Sequence, residues 1–161
     1  MPNLYMLVGV PASGKSTWLK NKNIVGVRCD PEANSMIIST DDYIEENARR
    51  QNKTYNEVFN MSISWANEMA DRDLEFAIEN DLDIYWDQTN LNAKTRKKKL
   101  ARVPSSYKKI AVVFPIPNRE EWLRRLDSRP DKTIPRSIIV GMLRSFEMPT
   151  TAEGFDVCKV V

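Results

Sequence analysis

The amino-acid sequence predicts an α/β fold: a doubly wound parallel sheet of four to five strands with helices on both of its faces. Two observations carry this prediction. Short apolar runs alternate with longer stretches in which apolar residues recur every three or four positions, as strands alternate with helices in such folds. The first apolar run leads directly into a loop that holds Gly9 and Gly14, and then into a helix-forming stretch. At 161 residues, 42% hydrophobic and 29% charged, the chain is expected to form one globular domain over residues 1–161.

Each element has its own signal in the sequence. Strands are expected where apolar residues run together, at 4–8, 36–39, 83–86, 109–114 and, as an edge strand, 155–161. Helices are expected at 15–22, 41–50, 55–80, 93–102, 118–127 and 136–147. Thr40 or Asp41 is expected to cap the second helix and Asn92 the fourth. Residues 23–35, with Gly26 and Pro31, predict a loop with a short strand near Val27.

The third helix is the longest, and its apolar spacing predicts one buried face that packs on the sheet. The residues on that face are Phe59, Ile63, Ala66, Ala70, Leu74 and Ala77.

The most specific motif is Gly9-Val10-Pro11-Ala12-Ser13-Gly14-Lys15-Ser16, a complete G-x-x-x-x-G-K-S phosphate loop between a strand and a helix. Backbone N–H groups of such a loop surround a phosphate at a helix N-terminus, so we expect the chain to bind a nucleoside triphosphate. Lys15 can reach the terminal phosphates, and the Ser16 hydroxyl can bind Mg²⁺. The residues expected to contact the nucleotide are Gly9, Ala12, Ser13, Gly14, Lys15, Ser16, Thr17 and Arg125.

Acidic residues follow the second and third predicted strands, at the edge of the sheet where the phosphate loop leaves the first strand. Asp41 is the candidate general base for transfer of a phosphoryl group to a hydroxyl, although a helix cap explains it equally well. Asp87 is the candidate Mg²⁺ ligand together with Ser16; the alternative is a turn residue before Gln88.

Arginines on or near the predicted helix at 118–127 indicate a further part of the site. Arg125 and Arg129 lie on or just after that helix, and Asp131-Lys132-Thr133 follow between two prolines. This polar stretch is typical of a lid whose cations stabilise the transferring phosphoryl group, and Arg129 is the candidate catalytic contact. The alternative is a solvated helix face.

Charge is unevenly distributed, although the net charge is only +2. The fourth helix carries a basic run consisting of Lys94, Arg96, Lys97, Lys98, Lys99 and Arg102. Either this run is a solvated helix face, or it binds the phosphate backbone of a nucleic acid.

Several classes of function are excluded by composition. The chain has no histidine, which rules out histidine general bases and most zinc sites. Cys29 and Cys158 form no motif and imply no disulfide. No apolar stretch is long enough to span a membrane, and the phosphate loop leaves no room for a signal peptide before it. We therefore expect a soluble, cytoplasmic protein with no membrane partner.

The motifs together resemble the kinase domain of phage-type polynucleotide 5′-hydroxyl kinases, within the P-loop kinase superfamily. The similar segments are Gly-Val-Pro-Ala-Ser-Gly-Lys-Ser-Thr-Trp at 9–18, Ser-Thr-Asp-Asp-Tyr at 39–43, Asp-Gln-Thr-Asn-Leu-Asn at 87–92, Arg125 and Arg129 before Pro135, and Leu143-Arg144-Ser145. The resemblance implies transfer of the ATP γ-phosphate to the 5′-hydroxyl of a DNA or RNA strand, with Asp41 as the base and Arg125 and Arg129 in the lid.

One departure from that family concerns the substrate strand. The phage pattern has arginines on both sides of the Asp-Asp-Tyr core, and the later one is expected to hold a substrate phosphate. Thr40 and Ile44 stand at those positions, so Arg49 or Arg50 becomes the candidate replacement.

Three functions remain open from the sequence. The first is a 5′-hydroxyl polynucleotide kinase, and the second is a kinase of a small alcohol such as a nucleoside, sugar or antibiotic. The third is a nucleotide-dependent binding module without catalysis, which the intact set of Lys15, Ser16, Asp41 and Asp87 disfavours. The sequence leaves the oligomeric state open.

Overall fold

A parallel sheet of five strands forms the centre of the protein. A computed structural model describes residues 1–24, 32, 34–129 and 131–161. The strands are β1 (Asn3–Val8), β2 (Ser35–Ile38), β3 (Asp83–Trp86), β4 (Lys108–Val113) and β5 (Val157–Val160), in the spatial order β2-β3-β1-β4-β5. All neighbouring pairs are parallel. The predicted strand near Val27, and Cys29, lie outside the described residues.

Six helices connect the strands, and their bounds are close to those expected. They are α1 (Lys15–Asn21), α2 (Thr40–Gln51), α3 (Tyr55–Glu79), α4 (Ala93–Leu100), α5 (Arg119–Asp127) and α6 (Arg136–Ser145). A 3-10 turn, Thr151–Glu153, precedes β5. Within the described residues, no helix is both long enough and apolar enough to cross a membrane.

Helices cover both faces of the sheet, as the doubly wound fold requires. Alternate side chains of the strands point to opposite faces. On one face Met6 and Trp86 pack with Leu74 of α3 and with α4. On the other, Leu7 and Val112 pack with Leu19 of α1. The apolar strands are therefore buried from both sides, which explains why they read as continuous hydrophobic runs.

The start of α2 corrects one expectation. Its cap is Ser39, not Thr40 or Asp41, and the Ser39 hydroxyl accepts a hydrogen bond from the backbone N–H of Asp42 at 3.3 Å. Serine suits this position because its side-chain oxygen reaches an N–H of the first turn. Asp41 is thus not needed as the cap.

The predicted face of α3 is divided between two partners, so the expectation that all of it packs on the sheet was wrong. Ala70, Leu74 and Ala77 pack on the sheet. Towards the N-terminus, Ala66 and Val58 pack instead against Ile44 and its neighbours on α2. The helix is longer than the sheet beneath it, and its first turns extend past the carboxyl ends of the strands.

Candidate active site

A large cleft opens where the carboxyl ends of β1, β2 and β3 meet. Its volume is about 1880 Å³, and it contains the phosphate loop and the acidic residues after β2 and β3. Every candidate site residue except Gly9 lines it directly; these are Ala12, Ser13, Gly14, Lys15, Ser16, Thr17, Asp41, Asp87, Arg125 and Arg129. The expected convergence of the three motifs on one crevice is the observed geometry.

The phosphate loop has the backbone geometry of an anion cradle. Ala12 and Gly14 adopt left-handed conformations, with φ of 60° and 104°. Gly9 must be glycine for a different reason: a Cβ there would lie 2.6 Å from Ser13 Oγ and 2.9 Å from Phe114 Cβ. The Gly9 N–H donates to the carbonyl of Thr89 at 3.0 Å, which ties the loop to the segment after β3.

Two polar groups of this loop lack the partner that a phosphate would supply. Ser13 Oγ is buried without a hydrogen-bond partner among the described residues. Lys15 Nζ donates to the carbonyls of Gly9 and Val10, at 2.8 and 3.0 Å. Burial lowers the pKa of Lys15 to about 8, against the opposing effect of Asp87. Ser13 Oγ is costly to bury without a partner, and the buried Lys15 ammonium has neutral carbonyl oxygens as its hydrogen-bond partners among the described residues, so both groups favour an anion in this loop.

The helix that precedes the predicted lid is attached to the phosphate loop. Trp122 Nε1 of α5 donates to the carbonyl of Pro11 at 2.7 Å. Arg125 donates to the carbonyl of Ala12 at 3.3 Å and also pairs with Glu121. Arg129, just beyond the end of α5, is close enough to Lys15 and Asp41 to affect both of their pKa values. The predicted arginines therefore face the phosphate loop.

Asp87 and Ser16 are suited to holding Mg²⁺ with the phosphates of a nucleotide. Burial raises the pKa of Asp87 to about 6, although Lys15 acts in the opposite direction. The described residues contain no cluster of three or more acidic or cysteine side chains that could hold a metal by itself. Mg²⁺ commonly takes one or two protein ligands and completes its shell with phosphates and water, which fits a lone carboxylate opposite a hydroxyl.

Both oxygens of the Asp41 carboxylate are hydrogen-bonded. Tyr55, the first residue of α3, donates its hydroxyl to Oδ1 at 2.6 Å. Lys132 Nζ donates to Oδ2 at 2.7 Å. Burial acts to raise the pKa of Asp41, but Lys132, Tyr55 and Arg129 together hold it below its ordinary value. Asp41 is therefore a fixed, ionised carboxylate in the cleft that contains the phosphate loop.

The polar stretch after α5 crosses the cleft and contacts α3. The Thr133 N–H donates to the Asn56 side chain, and the Asn56 amide donates back to the Thr133 carbonyl, each at 2.9 Å. Together with the Lys132–Asp41 ion pair, these contacts connect the segment after α5 to the first turns of α2 and α3.

Ile44, which stands where the phage pattern has its later arginine, is not accessible to a ligand. Ile44 is fully buried and packs between α2 and α3. Of the two candidate replacements, Arg49 lines the cleft, as does Lys53, whereas Arg50 does not and pairs with Glu46 at 2.6 Å. The structure thus separates two adjacent arginines that the sequence left equivalent.

Only part of the basic run on α4 forms an open charged face. Arg96 is fully buried and forms an ion pair with Glu153 at 2.7 Å, and it also donates to the Asn90 carbonyl at 2.9 Å. Lys99 donates to the side chains of Gln88 and Asn90. The interpretation of the whole run as one solvated face was therefore wrong, because two members hold the loop after β3 in place. Lys94, Lys97 and Lys98 remain exposed.

Sequence reasoning missed Tyr55 and Lys132 as partners of Asp41. Tyr55 belongs to no motif, and Lys132 was predicted only as part of the lid; they lie 14 and 91 residues from Asp41 along the chain. The length of α3 was a usable signal, since a helix reaching beyond the strands brings its first residues to the cleft.

Curated relatives match nearly the whole chain at low identity. Heterogeneous nuclear ribonucleoprotein U-like protein 2 from Mus musculus is 22% identical over 157 residues, and that from Homo sapiens is 23% identical over 163. These alignments cover 94% of this chain and 20% of each relative, so the chain spans about a fifth of their length.

Solved structures share the fold. A chain from the Pnkp1/Rnl/Hen1 RNA repair complex superposes with a TM-score of 0.65 at 24% identity, covering 96% of this chain and 46% of that chain. A chain from the PezAT chromosomal toxin-antitoxin system of Streptococcus pneumoniae superposes with a TM-score of 0.66 at 14% identity, covering 99% of this chain and 66% of that chain. They confirm the predicted P-loop kinase-like α/β fold.

A family model covers the phosphate loop, the acidic residues and the lid arginines in one continuous match. The model described as AAA domain (AAA_33) matches residues 4–149, and this range includes every predicted site residue. On these grounds the chain belongs to the AAA_33 family of AAA domains, with a P-loop kinase-like fold.

Proposed function

We propose that the protein transfers the γ-phosphate of ATP to a hydroxyl, and that this hydroxyl is the 5′ end of a single-stranded nucleic acid. The observation that carries the proposal is a fixed carboxylate, Asp41, facing a phosphate loop across one cleft beneath a cationic lid. A phosphate loop alone supports binding; a base opposite it supports transfer to an alcohol.

The chemistry follows from the positions of the side chains. The backbone N–H groups of residues 9–16 and Lys15 bind the phosphates. Asp41 orients the acceptor hydroxyl and takes its proton as the hydroxyl oxygen bonds to the γ-phosphorus. The bond from that phosphorus to the β,γ-bridging oxygen breaks, and ADP leaves. Arg129 and Lys15 stabilise the charge on the transferring group.

Mg²⁺ would be held by Ser16 and, directly or through water, by Asp87. When bound, it supplies positive charge to the β- and γ-phosphate oxygens and fixes their orientation.

The side of the cleft near Asp41, which we call the acceptor wall, has features that favour a nucleic-acid strand as the acceptor. Arg49 and Lys53 supply cations, and the rings of Tyr55 and Phe59 lie next to each other with centroids 5.7 Å apart. Cations combined with aromatic side chains are the usual means of binding single strands. A chain in an RNA repair complex shares this fold, which adds support from similarity.

The alternative is a kinase of a small alcohol, and the burial of Ile44 favours it, because no arginine stands at the position used by the phage family. This function would use the same Lys15, Asp41 and Arg129.

The deciding measurement is transfer of labelled γ-phosphate to a short 5′-hydroxyl oligonucleotide, with the matching nucleoside and nucleoside 3′-monophosphate in parallel. We expect efficient labelling of the oligonucleotide, lost in Asp41→Asn. Labelling of the nucleoside alone would establish the small-alcohol kinase. ATP binding with no labelled acceptor would establish a binding module.

Arg49 and Arg50 provide a matched pair for the acceptor side. Arg49→Met should raise the KM for the oligonucleotide by about tenfold, the size of one charge-assisted hydrogen bond to a phosphate. Arg50→Met should leave it unchanged, since Arg50 points away from the cleft. Equal effects of the two substitutions would mean that the strand takes another path.

A further inference from the structure

The candidate base is not free in this structure: a lid cation is bound to it. Lys132 Nζ lies 2.7 Å from Asp41 Oδ2 and 4.2 Å from the centroid of the Tyr55 ring. The Lys132 side chain is only 15% exposed, whereas that of Asp41 is 51% exposed. Lys132 therefore covers the carboxylate from the lid side, and Tyr55 holds its other oxygen.

The lysine is held on a fixed backbone. The neighbouring residue, Thr133, forms its two hydrogen bonds with Asn56 at the start of α3. The ammonium group sits at the end of a flexible four-carbon stem, so it can change partner while the backbone stays in place.

The triphosphate of a bound nucleotide would be a second partner for the Lys132 ammonium group. Lys132 is close enough to Lys15 to lower the pKa of Lys15, and Arg129 has the same effect. Three cations thus converge on the place where the phosphate loop would hold a triphosphate. A triphosphate carries several negative charges where Asp41 carries one, and it therefore attracts Lys132 more strongly.

We propose that nucleotide binding controls the availability of Asp41 through Lys132. Without a nucleotide, Lys132 forms an ion pair with Asp41; with a triphosphate bound, Lys132 turns to the phosphates and leaves Asp41 to the acceptor hydroxyl. We call this exchange of partners the switch. This regulation rests on the proposed function of Asp41. The full base strength of the carboxylate is then available only when a phosphoryl group is present to be transferred. Tyr55 stays bound to Oδ1 in both states and keeps the carboxylate oriented.

The charged and titratable groups around Asp41 come from every wall of the site. Lys132 and Arg129 face it from the lid and Tyr55 from α3. Glu45 lies along α2, Asp87 follows β3, and Lys15 belongs to the phosphate loop. Among the described residues, Lys132 and Tyr55 are the two that form hydrogen bonds to the carboxylate, so the switch is tested by removing the Lys132 charge.

The test is a titration of the Asp41 carboxyl carbon by NMR, assigned with Asp41→Asn, in the full chain with and without a non-hydrolysable ATP analogue and Mg²⁺. In the free protein we expect the pKa of Asp41 to lie below the ordinary value for aspartate, about 3.9. Lys132→Met, which keeps the stem and removes the charge, should raise it.

The change in the pKa of Asp41 when nucleotide binds distinguishes the switch from a permanent Lys132–Asp41 ion pair. The charge of the bound nucleotide raises the pKa of Asp41 in both proteins. In the wild type the rise should be larger, because Lys132 departs as well; in Lys132→Met only the direct effect remains. Tyr55→Phe should retain the larger rise.

Two results would overturn the switch. Equal pKa values of Asp41 in the free wild type and Lys132→Met would show that the contact does not form. Equal rises with nucleotide would show that Lys132 does not leave. The titration involves no acceptor and no turnover, so a protein that shows the switch but labels no acceptor overturns only the proposed function. A protein that binds no nucleotide overturns both.

Discussion

Asp41 occupies a position where a substitution should lower the rate of transfer without weakening donor binding. Its carboxylate is held by Tyr55 on the acceptor side and does not belong to the phosphate loop. Asp41→Asn keeps the shape of the side chain and removes the base, so the single-turnover rate of transfer should fall by about 10²–10⁴-fold. The affinity for ATP, measured by calorimetry, should not fall, because Asp41→Asn removes a negative charge from the cleft and frees Lys132 for the phosphates. An equal loss in rate and affinity would make Asp41 mainly structural.

Burial of the ionised Asp87 carboxylate should lower the free energy of unfolding, and its proposed role in holding Mg²⁺ explains this cost. Its pKa is raised to about 6 by burial, whereas an aspartate in the unfolded chain titrates near 3.9. The folded protein therefore binds this proton more tightly, and stability falls as the pH rises from about 4 through about 6. Above that range, Asp87→Asn should increase the free energy of unfolding by about 3 kcal/mol.

The measurement is urea unfolding in EDTA at pH 7.5 and at pH 4. The gain from Asp87→Asn should be present at pH 7.5 and nearly absent at pH 4, where the folded form carries the proton and about half of the unfolded form does. Asp127→Asn, at the exposed end of α5, is the matched control and should have no effect at either pH. A loss of stability in Asp87→Asn at pH 7.5 would show that its attraction to Lys15 outweighs its burial.

At the scale of elements, α4 shows how a charged run divides between structure and solvent. Arg96 lies fully buried with Glu153, whose side chain is only 6% exposed. Removing one partner of a buried ion pair leaves an uncompensated charge. Arg96→Met should therefore lower the free energy of unfolding by about 3–5 kcal/mol.

Its neighbour supplies the control. Lys97→Met removes an exposed charge from the same helix and should change stability by less than about 0.5 kcal/mol. Chemical denaturation of the two variants gives the comparison. Similar effects would mean that the Arg96–Glu153 pair contributes little to the attachment of α4 to the 3-10 turn.

The elements themselves were predictable from local pattern, because strands and helices here follow apolar periodicity and strong caps. Asn92 caps α4 as expected, with its side chain accepting from the Thr95 N–H at 2.8 Å. Ser39 was missed in favour of its neighbours, since Ser39, Thr40 and Asp41 can all cap a helix and only the end of β2 decides between them. Strand order and the division of α3 between sheet and α2 depend on tertiary packing, which periodicity does not contain.

At the site, motif residues were predictable and their supporting partners were not. Lys15, Asp41 and Asp87 stand at fixed places after strands, so their convergence follows from the topology of a parallel sheet. Tyr55 and Lys132 meet Asp41 through the length of α3 and the path of the chain after α5. Arg49 and Arg50 could be separated only by seeing which faces the cleft.

For the molecule as a whole, a small number of contacts connects the phosphate loop to the side of the cleft where the acceptor is proposed to bind. The phosphate loop is bound to the segment after β3 through Gly9 and Thr89, and to α5 through Trp122 and Pro11. The segment after α5 then reaches Asp41 and α3. A change at the phosphate loop therefore has a short, continuous path to the acceptor wall.

The hydrogen bond between Trp122 and Pro11 gives the protein an optical reporter of its own. The buried indole is in direct contact with the loop that would close on a phosphate, so occupancy of the loop should alter its fluorescence emission. Titration with ATP and Mg²⁺ should produce a saturable change that Trp122→Phe greatly reduces and Trp65→Phe, on α3, preserves. An unchanged response in Trp122→Phe would assign the signal to another tryptophan. Donor binding can thus be read in unlabelled protein before any acceptor is known.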